Sequence, residues 1–410
     1  MKPARKIGGV KPRHAVLQPQ STARNLRGIV LRALSVVLVA VLSAVGFSAA
    51  SIGGQLGQNG LILRDSQGNI IAGKADLNGP INMLLVGSDT RAGQGGGFGT
   101  ETSNLADVII LLHVSADRKN AVALSFPRDL LVPWPACPST TGGPGYLPQT
   151  LGQINATIAN GGPGCTLLTV ESLTGLKIPY LAMINFKGVI EMSNAIGGVE
   201  VCVANPIVDT YTHLNLTAGM HTLQGREALQ FLRTRHGVGD GSDLSRISNQ
   251  QVFLTSLVRK VKSQGVLTNP VYLYSLASAA ARNMSLSSNL TDLNTLVGMA
   301  SSLKNVSLEK MTFLQVPSAG GLPEPYSGRV APVYEQANII FEKLRNDQPI
   351  LVTGNNTGTA ATATPSPSTD AGTGSSTSSA SASPSPSATD SAVLGDWARG
   401  TNAAKTTCSG

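Results

Sequence analysis

Three short, almost unbroken apolar runs constrain this chain most: Ile81-Asn-Met-Leu-Leu-Val-Gly87, Val108-Ile-Ile-Leu-Leu-His-Val114 and Ala121-Val-Ala-Leu-Ser-Phe126. A strand with one wet face alternates apolar and polar residues, whereas a run without alternation needs cover on both faces. Helical spacing supplies that cover at Leu151 to Ala159, Leu167 to Leu173, Phe186 to Ala195, Arg226 to Leu232, Leu244 to Val261 and Val333 to Leu344. Strands mixed with helices in this way predict an α/β fold, a three-layer α/β/α sandwich around a mixed central sheet.

Charge is sparse and unevenly placed. Of 31 Lys and Arg residues, Lys2, Arg5, Lys6, Lys11, Arg13, Arg24, Arg27 and Arg32 lie in the first 32 residues, which hold no acid; the rest, from Arg64 on, balance the 23 Asp and Glu that begin at Asp65. The formal net charge of +8 is therefore a head group and not a nucleic-acid footprint. Behind it, the apolar segment 28–50 reaches the roughly 20 residues that cross a bilayer. Basic residues on its amino side keep that end in the cytoplasm, so the remainder is exported. The sequence divides into a basic cytoplasmic head (1–27), a transmembrane signal-anchor (28–50), a connecting segment (51–80) and an extracellular domain (81–352). A tail of Ala, Ser, Thr, Pro and Gly (353–410) is too poor in apolar surface to order itself and reads as disordered. The alternative to an anchor is a signal peptide cleaved near Ser48 to Ser51, and both readings place the cell membrane at this end.

Cys137, Cys165, Cys202 and Cys408 suit an oxidising compartment and match no zinc spacing. A bridge between Cys137 and Cys165 would close a Pro/Gly-rich loop and contribute on the order of 3 kcal/mol. The partner of Cys408 is open.

The chemistry-bearing residues gather at strand ends and at one turn. The run into Ser88-Asp89-Thr90-Arg91, the strand opened by Asp107, and the run into Pro127-Arg128-Asp129 place acids and arginines where loops converge in an open α/β sheet. Asp107 joins the others if its strand runs antiparallel to the first. The turn from Phe231 to Gln251 carries Arg233, Arg235 and Arg246, with Gln250 one helical turn on. A guanidinium fork matches phosphate oxygens bidentately, so these arginines predict a pocket for a multiply anionic group, first of all a pyrophosphate. Carboxylates beside such a pocket suit Mg²⁺, which takes one or two of them together with waters and phosphate oxygens. There is no Gly-x-x-x-x-Gly-Lys-Ser/Thr loop and no Gly-x-Ser-x-Gly elbow. His113 sits in an apolar strand as a packed core residue, and His236 is a neighbour of the site.

The ordered series of these segments resembles the LytR-CpsA-Psr family of membrane-anchored, cell-wall glycopolymer phosphotransferases of Gram-positive bacteria, in the actinobacterial style. The resemblance covers Asn82 to Lys262. It rests on Leu84 to Arg91, Ala106 to Val114 and Leu124 to Asp129. It continues through Ile154-Asn-Ala with Gly161-Gly-Pro163, Thr169 to Gly175, Asn185-Phe-Lys-Gly with Ala195 to Glu200, Leu223 to Arg235 and Gly241 to Arg246. It implies a polyprenyl-pyrophosphate-linked glycan as donor and a peptidoglycan sugar hydroxyl, or less often a cell-surface protein, as acceptor. The implied cofactor is Mg²⁺ (or Mn²⁺), held by Asp89 and Asp107. Arg128, Arg233, Arg235 and Arg246 are implied to bind the pyrophosphate and stabilise the transition state, with Arg91 and Gln250 in support. Asp129 or Asp243 would be the acid available to take a proton. A lipid-pyrophosphate hydrolase and a non-catalytic polyprenyl-phosphate-binding wall regulator are the alternatives. Two departures stand out: Leu105-Ala-Asp107 where many members have Arg-Ser-Asp, and Asn249 where an arginine is common.

Overall fold

The computed structural model of the protein describes residues 50–55, 60–65, 67–71, 77–91, 94, 104–139, 143–263, 269–354, 361–362 and 392–410. In chain order, the strands that matter here are β1 (Gly60–Leu61), β2 (Ile81–Ser88), β3 (Ala106–Val114), β4 (Ala121–Phe126), β5 (Tyr180–Ile184), β6 (Val199–Val203), β7 (Gly219–Leu223), β8 (Met284–Ser287), β9 (Met311–Gln315), β10 (Gly400–Asn402) and β11 (Thr407–Ser409). The helices are α1 (Thr157–Thr174), α2 (Phe186–Ala195), α3 (Arg226–Arg233), α4 (Asp243–Ser263), α5 (Pro270–Asn283), α6 (Leu293–Asn305) and α7 (Tyr334–Arg345).

A mixed eight-stranded sheet runs in the order β1-β8-β5-β2-β3-β4-β9-β10. Its centre is formed by the three apolar runs, and the reason is visible in where their side chains go. Leu84 and Val86 of β2 pack with α1 and α7, through Leu167, Leu168, Ile340 and Phe341. Ile81, Met83 and Leu85 of the same strand pack on the other face, with Leu254 and Val258 of α4, Ala281 of α5 and Met299 of α6. Alternate residues of one strand thus fill two cores, as the missing alternation requires. A smaller sheet places β6 between β7 and β11 and forms a third core with α3 and the outer side of α4. Helix α4 is enclosed between two cores, which explains why even its polar Ser245, Arg246, Asn249 and Gln250 are buried.

The strand register decides the site. β2 and β3 are antiparallel, with Ser88 opposite Ala106, and β3 and β4 are antiparallel, with Ile109 opposite Phe126. The end of β2, the start of β3 and the end of β4 therefore share one edge of the sheet, and Asp89, Asp107 and Arg128 share it with them.

Several expectations need correction. The helix expected from Leu151 begins only at Thr157, because Gln149–Gln153 is a strand paired with Leu131–Trp134. Helices α5 and α6 were not expected; α5 is rich in Ala, and α6 sets Leu296, Met299 and Leu303 on the core at helical spacing. The tail expected to be disordered through residue 410 is folded at its end. β10 pairs with β9, β11 pairs with β6, and Trp397 and Ala398 pack against the main core. The physical reason is borrowed order: strands of three residues cannot stand alone, yet each adds to the edge of an existing strand. Both disulfides lie among the described residues, Cys137–Cys165 as expected and Cys202–Cys408 tying β11 to β6. The basic head, nearly all of the apolar segment 28–50, the glycine run 95–99 and the low-complexity stretch 363–391 lie outside the described residues. Among the described residues no helix is long and apolar enough to cross a membrane.

Candidate functional site

The site sits where the carboxyl ends of β2 and β4 meet the first turn of α4. Gly241, in the left-handed region, leads the chain into this turn, and Ser242 accepts a hydrogen bond from the Ser245 amide at 3.3 Å. The amide of Arg128 donates to Asp243 Oδ2 at 3.1 Å, which fastens the end of β4 to the start of α4. Asp89 is fixed from the neighbouring strand, its Oδ1 accepting from the Leu105 amide at 2.6 Å.

Around this junction the arginines divide into two kinds. Arg128 and Arg246 are locked by acids. Arg128 Nη1 lies 2.6 Å from Asp107 Oδ1, and its Nε lies 3.5 Å from Asp129 and 3.7 Å from Asp243. Arg246 Nη2 lies 2.6 Å from Asp243 Oδ1 and donates to the Asp107 carbonyl at 2.8 Å. Burial works against the Arg128 cation, but Asp107, then Asp129 and Asp243, outweigh it and raise the pKa. These guanidinium groups are held in place before any ligand arrives.

Arg233 and Arg235 are different: neither makes an ion pair among the described residues. The Arg233 guanidinium is stacked 4.4 Å from the centre of the Phe186 ring. Burial lowers its pKa; Asp107 and Asp89 oppose that, while Arg91 and Arg246 add to it. Arg235 is lowered too, by burial and then by Arg128 and Arg246, against Asp243 and Asp129. A cation destabilised by burial and by like charge is relieved by an anion. The site therefore attracts a multiply charged anion, and the two unpaired arginines are where its charge is needed.

Behind the arginines lies an apolar cavity of about 530 Å³ between the sheet and helices α2 to α6. Its polar mouth is lined by Ser88, Asp107, Arg233, Arg246 and Gln250, and its walls by residues such as Leu85, Ile110, Phe253, Leu257 and Val261. Along α4 the lining runs from Arg246 to Lys262, about 24 Å at the helical rise. A ligand with an anionic head and a long apolar tail fits this shape. Gln250 lies at the mouth but donates to the Leu232 carbonyl at 3.2 Å, so it also braces the arginine turn.

The sequence-predicted residues Asp89, Arg91, Asp107, Arg128, Arg233, Arg235, Arg246 and Gln250 all fall at this end of the sheet. Asp89 and Asp107 both bear electrostatically on Arg233, so they share one neighbourhood. Among the described residues no three His, Cys, Asp or Glu side chains gather as a self-sufficient metal cage. Carboxylates beside a phosphate pocket are the kind of donor that Mg²⁺ combines with phosphate oxygens and water, and Asp89 and Asp107 are the residues that could supply them. Asp129 and Asp243 are each paired with two arginines.

Sequence reasoning missed Arg329. It reaches the site from the loop before α7, with Nη1 3.1 Å from Asp129 Oδ1, and Gln153 Nε2 donates to the same oxygen at 2.9 Å. The Gly328-Arg-Val segment is far along the chain and carries no local motif, so only the parallel bridge of Leu130 with Val330 brings it in. His113 is confirmed as a core residue, 2% exposed, with Nδ1 2.8 Å from Asn82 Oδ1.

The LytR_cpsA_psr family matches residues 61–343 of the chain. Among characterised proteins, the chain is similar to the cell wall biosynthesis protein LcpA of Corynebacterium glutamicum, 28% identical over 342 residues, covering 76% of this chain and 64% of LcpA. It is also similar to the polyisoprenyl-teichoic acid–peptidoglycan teichoic acid transferase TagT of Bacillus subtilis, 30% identical over 247 residues, covering 58% of this chain and 70% of TagT. A solved structure, protein gbs0355 from Streptococcus agalactiae, superposes with a TM-score of 0.53 at 22% identity, covering 66% of this chain and 88% of that one. That likeness speaks for the fold, a mixed sheet between helices.

Proposed function

The chain belongs to the LytR-CpsA-Psr family, and from that premise we propose that it transfers a glycopolymer from a polyprenyl-pyrophosphate donor to a peptidoglycan hydroxyl. The observation that carries this reading is the junction of an arginine cluster with an apolar cavity. Pyrophosphate belongs at the mouth and the polyprenyl chain belongs in the cavity. The names of LcpA and TagT point to the same wall chemistry.

In the proposed reaction the acceptor hydroxyl oxygen attacks the glycan-proximal phosphorus. The bond from that phosphorus to the bridging oxygen breaks, polyprenyl phosphate leaves, the hydroxyl proton passes to solvent or a nearby carboxylate, and a phosphodiester joins the two polymers. Arg128 and Arg246, pre-aligned by Asp107 and Asp243, hold phosphate oxygens without reorganising during the reaction. Arg233, which makes no ion pair among the described residues, takes up the charge that grows on the leaving phosphate, and Arg235 holds the glycan-side phosphate. Asp89 and Asp107 would hold Mg²⁺ or Mn²⁺, which when bound supplies neutralisation of the phosphate oxygens. The apolar walls keep water from the lipid side of the phosphorus. In the cell, the segment 28–50 would anchor the domain on the outer face of the membrane, beside both substrates.

Incubating the protein with a polyprenyl-pyrophosphate oligosaccharide and peptidoglycan tests this reading. Mass spectrometry should find polyprenyl phosphate and a phosphodiester-linked glycan on the peptidoglycan. Free phosphorylated glycan as the sole product would mean that water is the acceptor and the protein a hydrolase. Full wall function of Asp89→Asn in cells would point instead to a carrier without catalysis.

A further inference from the structure

Beside Arg235 and outside the cavity lining, two aromatic rings stand in solvent as a stacked pair. Tyr211 is 77% exposed, and its ring centroid lies 4.3 Å from that of the exposed His236, with 30° between the planes. Together they present a flat aromatic surface to water. The pair is also held still. Asp209, 1% exposed, accepts four backbone N–H groups: Oδ1 from Tyr211 at 2.9 Å and Thr212 at 3.2 Å, Oδ2 from Arg235 at 3.1 Å and His236 at 3.2 Å. The Thr212 and Thr234 hydroxyls meet at 2.9 Å and tie the same two loops. Gly237 completes the joint. At φ +83° it lets the chain run against the backbone of Val208, where a Cβ would come within 2.5 Å of the carbonyl oxygen. One buried carboxylate thus sets the positions of Tyr211, Arg235 and His236 together.

From this arrangement we propose that Tyr211 and His236 form a carbohydrate subsite, which binds the first pyranose ring attached to the donor pyrophosphate. The proposal rests on the reading of the arginine cluster as a pyrophosphate site, and it assigns a direction to the ligand. Arg233 lines the apolar cavity and Arg235 does not, yet Arg235 feels the charges of Arg128, Arg246, Asp243 and Asp129. The pyrophosphate is therefore bracketed, with lipid leaving past Arg233 and glycan leaving past Arg235. The residue after Arg235 is His236, so the first sugar emerges against the aromatic pair. A pyranose has an apolar C–H face and a hydroxyl rim. A flat, rigid, amphipathic ring surface suits the face and leaves the rim to water and to the phenol and imidazole edges. Ring stacking tolerates many sugars, so the subsite recognises that a sugar is present and not which polymer follows.

The test uses two soluble donors that differ by one ring, farnesyl pyrophosphate and farnesyl-pyrophosphoryl glucose, with dissociation constants measured on the full chain. The wild type should bind the glucose-bearing probe about five- to tenfold more tightly, the contribution expected of an aromatic contact. Tyr211→Ala should bring that ratio to about one while leaving the farnesyl pyrophosphate affinity unchanged, which also reports that the variant is folded. Tyr211→Trp should keep the preference. An unaltered ratio in Tyr211→Ala, or no sugar preference in the wild type, overturns the subsite and leaves the pyrophosphate site standing. No binding of farnesyl pyrophosphate by the wild type would sink the pyrophosphate reading itself, and the subsite with it.

Discussion

Helix α4 carries two regions that are built on opposite principles. At its amino end, the turn from Phe231 to Arg246 gathers more arginines than the nearby acids pair with, and among the described residues Arg233 and Arg235 make no ion pair. One turn beyond Arg246, Asn249 accepts a hydrogen bond from the hydroxyl of Ser409 in β11, a strand fastened to β6 by backbone pairing and by the Cys202–Cys408 disulfide. The first region keeps electrostatic free energy in reserve for a ligand; the second commits all of its interactions to the fold. Substitutions in the two regions should therefore separate activity from stability.

The largest effect is expected at Arg233. Removing a preorganised charge from a transition-state site costs roughly 10²- to 10³-fold in rate, so Arg233→Ala should lower transfer by that amount. Its stability should change little, by less than about 1 kcal/mol, the worth of the lost stacking on Phe186. Arg246→Ala makes the contrast, because it takes from buried Asp243 its partner at 2.6 Å and leaves it only Arg128 at 3.7 Å, so it should also destabilise, by about 1–3 kcal/mol. Denaturation midpoints measured beside turnover would show it: equal destabilisation in both variants would mean that the two kinds of arginine are not distinct.

The reverse pattern is expected at the carboxyl end. Cys202 and Cys408 are separated by 206 residues in sequence, so their bridge restricts a large part of the unfolded chain. Cys202→Ser with Cys408→Ser should lower stability by about 2–5 kcal/mol. Transfer measured well below the new melting point should stay near that of the unaltered protein. A large loss of transfer without a loss of stability would erase the distinction between the two regions.

The same contrast governs what could be read from the sequence. The central strands were legible because burial on two faces leaves an unbroken apolar run, and the site residues were legible because each sits in a short local motif at a strand end or helix start. Cys408 and Trp397 were not. The strands around them are too short to carry periodicity and take their order from β6 and β9, which lie far away along the chain. Arg329 was missed for the same reason: its place is decided by a bridge between Leu130 and Val330. Helix α5 escaped because an Ala-rich helix packs closely with few large apolar side chains, whereas α6 did carry a signal, Leu296, Met299 and Leu303 at helical spacing behind the Asp292 cap. The departure at Asn249 now has a local counterpart, since its amide oxygen accepts from Ser409 of β11 and an arginine side chain has no acceptor to offer there.

A smaller effect follows at that contact. Ser409→Ala would leave the Asn249 amide oxygen buried without its donor, at a cost of about 1–3 kcal/mol. Asn249→Leu with Ser409→Ala removes both polar partners and should recover part of that loss. Chemical denaturation of the single and double variants measures the coupling. Additive losses would mean that the hydrogen bond does not hold β11 to α4.

The smallest effect concerns pH and lies just ahead of α4. Asp240 accepts hydrogen bonds from Ser242 and from the Ser245 hydroxyl, and these push its pKa down to about 2 from the ordinary 3.8. A carboxylate that is more acidic in the folded state binds fewer protons there than in the unfolded chain, so stability rises with pH across the interval between the two values. The contribution is fully present above about 3.8 and disappears as the pH falls through about 2. Because the group is exposed, solvent screening keeps it well under 1 kcal/mol. Asp240→Asn should therefore be slightly less stable than the unaltered protein at neutral pH, and the two melting curves should converge near pH 2. The arginine turn should respond with it, since Asp240 orders the chain between Arg235 and Arg246. A difference in stability that persists unchanged at pH 2 would show that Asp240 acts through its shape and not through its charge.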